Sequence, residues 1–169
     1  MDKLQTKQEL LAKLTALTSV PDDNNIYLKE KVKKALLKSP ELLYAFHNLD
    51  LEDTELFNPD GTINYDGDWT MYYGEEGNIH PHFYLPNTQD KVRHHLCFKT
   101  EFTDIPKYNQ IMCYMNVNFL VMVDVRDAID PLTGITRHDL IGSIIRDRFN
   151  WSNIFGAHCN IVSDKESFT

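Results

Sequence analysis

Apolar and polar residues alternate most regularly between residues 111 and 125. Every odd position there is apolar: Ile111, Cys113, Met115, Val117, Phe119, Val121, Val123 and Val125. The even positions are mixed, running Met112, Tyr114, Asn116, Asn118, Leu120, Met122 and Asp124, so a period of two fits and a helical period does not. A strand over the whole segment reaches ~50 Å at about 3.3 Å per residue, so its first half is expected to project beyond the core. Residues 93–102 alternate too, with His94, Leu96, Phe98, Thr100 and Phe102 on one face. The short connection 103–110 makes the two an antiparallel hairpin. Residues 79–85 read as a further strand closed by Pro86. Residues 159–162 read as a last short strand, beside which either the sheet has an open edge or a natural C-terminal strand is missing from this sequence.

The helical period appears elsewhere. Leu10, Leu11, Leu14 and Leu17 form a stripe over residues 3–18, before Pro21; Leu28, Val32, Ala35 and Leu36 form another over residues 25–38. Ser39-Pro40-Glu41 reads as a cap with proline in the first turn, opening a short helix through Leu42, Leu43 and Phe46. Thr136 caps a helix over residues 137–149, with Asp139 completing an approximate capping box. On that helix Leu140, Ile141, Ile144, Ile145 and Phe149 share a face, and Arg137, Arg146 and Arg148 lie largely elsewhere. The expected fold is α/β in the α+β sense: a mostly antiparallel sheet with a long β-hairpin, one helix across it, and N-terminal helices. Three segments follow: a helical part (1–48), an acidic aromatic loop (49–78) and a sheet-plus-helix core (79–169).

Composition sharpens the middle segment. The formal net charge is −8, and residues 50–76 hold nine Asp or Glu with no Lys or Arg. Such a balance disfavours sequence-specific nucleic-acid binding and anionic membranes, both of which need clustered cations. Asn58-Pro59-Asp60-Gly61 and Asp66-Gly67 are turn signals, so a long loop or loose hairpin is expected. Its Tyr65, Trp69, Tyr72 and Tyr73 suit a surface that is buried against another protein. Three cysteines, Cys97, Cys113 and Cys159, make no C-x-x-C pair and read as reduced, buried thiols in a cytoplasmic setting. No run of 18 apolar residues occurs.

Candidate chemistry is sparse. His80-x-His82, with His94, His95 and Cys97, offers nitrogen and sulfur ligands for zinc. Against it, the first pair flanks Pro81, and His94 and His95 point to opposite faces. The loop Thr62-x-Asn64-x-Asp66-Gly67 resembles a calcium loop but has Tyr73 where a bidentate Glu is required. Arg137-His138-Asp139 matches a kinase catalytic loop in letters alone. No Walker, G-x-G-x-x-G or G-x-S-x-G sequence occurs. The expectation is a protein that is not an enzyme and has no catalytic residues, cofactor or metal.

The order of elements carries a resemblance. A helical N-terminus, His80-Pro81-His82-Phe83-Tyr84-Leu85-Pro86, a long hairpin ending in Val121-Met122-Val123-Asp124, Thr133 through Ile141, one helix and a short strand resemble the tail terminators of tailed bacteriophages. These are the tail-completion, or tail-to-head joining, proteins of the virion neck. The resemblance covers mainly residues 79–163. It implies a homo-oligomeric ring, usually a hexamer, that caps the tail-tube protein and meets a head-closure or connector protein, assembled in the host cytoplasm, with DNA passing through the lumen. A head-closure or connector adaptor of the same neck is the alternative; a small metal-dependent enzyme using the histidines is the alternative from another class. Candidate subunit contacts are Trp69, Tyr72 and Tyr73 in the acidic loop, Asp104, Ile105, Lys107 and Tyr108 at the hairpin tip, and Trp151 and Phe155 in the aromatic connection.

Overall fold

A computed structural model describes residues 6–17, 24–84, 91–102, 115–150 and 152. The hairpin tip, Trp151, Phe155 and residues 159–162 lie outside them. The chain is α+β, with a three-stranded mixed sheet.

Helix α1 (Lys7–Leu17) is closed by a capping box. The Thr6 hydroxyl accepts from Glu9 N–H at 3.1 Å and the Glu9 carboxylate accepts from Thr6 N–H at 3.3 Å. Helix α2 (Asn24–Leu37) buries the expected stripe of Leu28, Val32, Ala35 and Leu36. Each Leu or Val so buried contributes about 1.5–3 kcal/mol. Helix α3 (Pro40–Ala45) starts on Pro40 as expected, but Ser39 makes no side-chain cap; its hydroxyl donates to the Glu41 carboxylate at 2.8 Å. Helix α4 (Leu49–Leu51) runs into a π-helical turn, Glu52–Leu56.

Strand β1 (Ile79–His80) pairs parallel with β2 (His95–Phe102), which pairs antiparallel with β3 (Met115–Met122) over eight residue pairs. The hairpin is therefore as expected, but β2 starts at His95 rather than Arg93, and β1 and β3 stop short of the expected Leu85 and Val125. β1 stops at Pro81, which has no N–H for the ladder. β3 stops at Met122 because the Asp124 N–H is taken by His94 Nδ1 at 3.1 Å, and the Asp124 carboxylate then caps the turn Val125–Asp127 through Arg126 N–H at 2.9 Å. Residues 123–125 thus leave the sheet, and Val125 is 88% exposed.

Helix α5 (Arg137–Phe149) begins at Thr136, whose hydroxyl accepts from Asp139 N–H at 3.2 Å. Ile141, Ile145 and Phe149 are buried and Leu140 and Ile144 half-buried against the core. Phe119 on β3 lies between Phe98 and Phe149, with ring centroids 6.4 Å and 5.2 Å away. Such aromatic pairs add about 0.5–1.5 kcal/mol beyond burial. One apolar cluster takes Val32 and Phe46 from the N-terminal helices, Leu56 and Tyr72 from the acidic segment, and Phe98 and Ile141 from the sheet and helix. The three segments read from the sequence share this core.

Candidate functional site

The acidic segment is not the loose loop its composition implies. Phe57 and Ile63 form an antiparallel bridge around a tight turn, in which Asn58 N–H donates to Thr62 O at 2.8 Å and Gly61 takes φ +83°. Glu55 then clamps the rest. Its carboxylate accepts from Asp68 N–H at 2.7 Å and its carbonyl accepts from the Trp69 indole at 3.0 Å. Gly67 is required here, because a Cβ would sit 2.1 Å from Glu55 O.

The three described contact candidates therefore differ in fate. Tyr72 is fully buried in the chain's own core, which removes it as a surface anchor. Its burial pushes the phenol's pKa up, helped by the Glu52 and Glu55 charges. Tyr73 is half-buried, with the Lys33 ammonium 4.6 Å from its ring centroid. Trp69 is half-buried, 5.6 Å from the Tyr65 ring, and Tyr65 is 73% exposed. Asp104, Ile105, Lys107, Tyr108, Trp151 and Phe155 lie outside the described residues.

Ionisable residues gather where the ends of α3, β2, β3 and α5 meet. Arg137, placed by the helical period away from the apolar face, is 1% exposed. Its Nε lies 3.1 Å from an Asp127 carboxylate oxygen and donates to the Asp127 carbonyl at 3.1 Å; Nη1 lies 3.4 Å from the Asp130 carboxylate and donates to Ala45 O at 3.4 Å. The same Asp127 oxygen accepts from His47 Nδ1 at 2.5 Å and from His94 Nε2 at 3.3 Å. Because His94 Nδ1 already accepts from Asp124 N–H, its proton sits on Nε2 and the ring is neutral.

The electrostatics follow from this packing. Burial alone would raise the Asp127 carboxyl, but the His47 and His94 hydrogen bonds and the Arg137 charge outweigh it and hold it below its ordinary value. Asp130 is lowered likewise, with the Thr133 hydroxyl and N–H bonds and Arg137 overcoming burial. Burial lowers His94, against the partial opposition of Asp127. Glu52, raised by burial, sits within the field of His47. His47 takes the left-handed φ of +47°, a conformation that persists in a non-glycine residue only where surrounding contacts hold it. The cluster is a four-element tie, with His47 and Asp127 as its partly exposed members.

The second histidine group lies on the sheet. His94 and His95 do diverge: His95 Nδ1 meets His80 Nε2 at 2.9 Å, and Tyr84 stacks on His80 with centroids 4.4 Å apart. Burial lowers both rings, with His82 adding to the shift of His80 and His80 adding to that of His95, which falls to about 4. Burial raises the Cys97 thiol, which contacts the Tyr84 backbone. His82 is exposed, its ring centroid 6.4 Å from that of His80. Among the described residues no three His, Cys, Asp or Glu side chains are placed to hold a metal ion. No described helix is long and apolar enough to cross a membrane.

Fold and site together define an α+β protein whose buried ionisable side chains tie secondary-structure ends to one another. The family model of YomW, a phage-derived family, matches residues 30–167. The chain belongs to the YomW family and is a phage-associated protein. Comparison with curated proteins and with solved structures gives no match.

Proposed function

We propose that this phage-associated chain is a non-enzymatic structural subunit of a tailed virion, a neck-ring component that terminates the tail tube and joins it to the head connector. The observation that carries the reading is the acidic aromatic loop. Glu55, Gly67 and the Phe57–Ile63 bridge hold it rigid, and it presents Ile63, Tyr65 and Met71 to solvent beside exposed Asp53, Asp66, Asp68, Glu75 and Glu76. A preorganised surface with aromatic anchors and a charged rim suits repeated protein contacts. Acidic groups facing a lumen would repel passing DNA rather than hold it. The ionic tie supports the same reading, since Arg137 and His94 spend their polar atoms on internal partners.

The experiment is native mass spectrometry and electron microscopy of the full chain, alone and with tail tubes of its own phage. A ring alone, or a cap on one end of the tubes, is expected. A monomer at all concentrations that ignores tubes and connector would overturn the reading. Elemental analysis of the same preparation addresses the histidine-based metalloenzyme alternative: stoichiometric metal with turnover of a substrate would favour it.

A further inference from the structure

Helix α1 stands apart from the core. Its described side chains from Thr6 to Ala16 are all exposed, and Leu10, Leu11 and Leu14 are open to 45%, 51% and 51%. Lys7, Leu10, Leu11 and Leu14 follow the i, i+3, i+4, i+7 spacing of one helix face, so the apolar stripe carries a cation at its N-terminal end. A helix of 11 residues is marginal in water without tertiary cover. Its own capping box closes its start, and its stripe is left for another surface.

The matching surface is on the same chain. Helix α1 holds Lys7 and Lys13 against one acid, Glu9, whereas residues 50–76 hold nine acids and no cation. Within that acidic segment Ile63, Tyr65 and Met71 are 37%, 73% and 50% exposed on the rigid frame described above. Among the described residues, salt bridges from Lys91 and Arg93 reach Asp50 at its edge, and none reaches Asp53, Asp66, Asp68, Glu75 or Glu76. A lysine-bearing apolar helix and an acidic, apolar, preorganised loop are complementary in both charge and chemistry.

We infer that the Leu10/Leu11/Leu14 face of α1 docks on the Ile63/Tyr65/Met71 surface of a second copy of this chain. The contact joins two different patches, so it is heterologous, and repeating it about one axis closes a ring. The inference takes from the proposed function the premise of a homo-oligomer and supplies the contact that builds it.

The test uses the full chain in sedimentation velocity and native mass spectrometry. The variant Leu11→Asp/Leu14→Asp should weaken assembly by at least tenfold while its thermal unfolding midpoint stays that of the wild type, because α1 lies outside the core. The variant Tyr65→Lys/Met71→Lys should do the same. Mixed one to one, the two retain one good patch of each kind and should form a capped heterodimer that does not grow. Raising NaCl from about 0.05 to about 0.5 M should weaken wild-type assembly by screening the opposed charges. Wild-type-like assembly of the α1 variant, or an equimolar mixture that stays monomeric while the wild type assembles, would overturn the inference. A ring built independently of α1 overturns this contact alone and leaves the neck reading standing. A ring built through α1 that ignores tail tubes overturns the neck reading and supports the contact.

Discussion

Replacing Arg137 with Met removes the cation at the centre of the four-element tie and keeps much of its unbranched stem. The Arg137 and Asp130 side chains are each 2% exposed, and Asp127 is 20% exposed. Removing one partner of a buried ion pair costs about 3–5 kcal/mol. Here the lower end applies, because Asp127 keeps His47 and His94 and Asp130 keeps the Thr133 N–H at 2.9 Å and its hydroxyl at 2.7 Å. A loss of about 3 kcal/mol lowers the midpoint of a protein this size by roughly 6–12 °C. The assay is urea unfolding followed by circular dichroism at pH 7, with an unchanged m-value as the sign that the unfolded reference is the same. The deficit should also depend on pH. In the wild type both carboxyls have folded pKa values below their unfolded values, so their stabilisation is present above about pH 4 and is lost as pH falls through the folded values. Without Arg137 one of the lowering influences is gone and the folded values rise relative to the wild type, so the variant's deficit should shrink on acidification as the carboxylates become neutral. Adding Asp127→Asn and Asp130→Asn should recover much of the loss at pH 7. A deficit under about 1 kcal/mol at pH 7, or one that grows in acid, would refute the reasoning.

Other outcomes follow from the same contacts. The wild type should lose stability by a few kcal/mol between about pH 6.5 and 4, because burial lowers His80, His94 and His95; stability from a lowered histidine is complete above its unfolded pKa and is lost as pH falls toward the folded one. Titrating thermal midpoints over that range checks the sign, and a flat profile contradicts it. Thr136→Ala should cost about 1 kcal/mol through loss of the α5 cap, with Thr136→Ser close to neutral. Gly67→Ala should open the clamp on the acidic loop, since its Cβ meets Glu55 O at 2.1 Å; in a Trp151→Phe background, iodide quenching of Trp69 should increase.

Much of the secondary structure was written in local patterns. The period of two at Met115, Val117, Phe119 and Val121 marks the core face of β3, and Pro40 and Thr136 mark helix starts, because these signals depend on neighbours within a few residues. The shortfalls have long-range causes. The end of β3 is set by His94, 30 residues before Asp124. The burial of Arg137 depends on His47 and Ala45, 90 and 92 residues away, which a helical wheel does not contain. The acidic segment reads as loose because acids, Gly and Asn usually solvate loops. The clamp from Glu55 to Trp69 reverses that through one backbone carbonyl and one indole. Of the contact candidates, Trp69 is half-buried beside exposed Tyr65 and Tyr72 serves the core, a division invisible in adjacent aromatic letters.

Electron cryomicroscopy of intact tailed particles of the phage that encodes this chain tests the central claim most directly. The expected image is a ring at the head-to-tail joint into which the fold of residues 24–84, 91–102 and 115–150 fits, with acidic loops at subunit contacts or facing the lumen. Particles that contain no copy of the chain, or that carry it away from the joint, would contradict it.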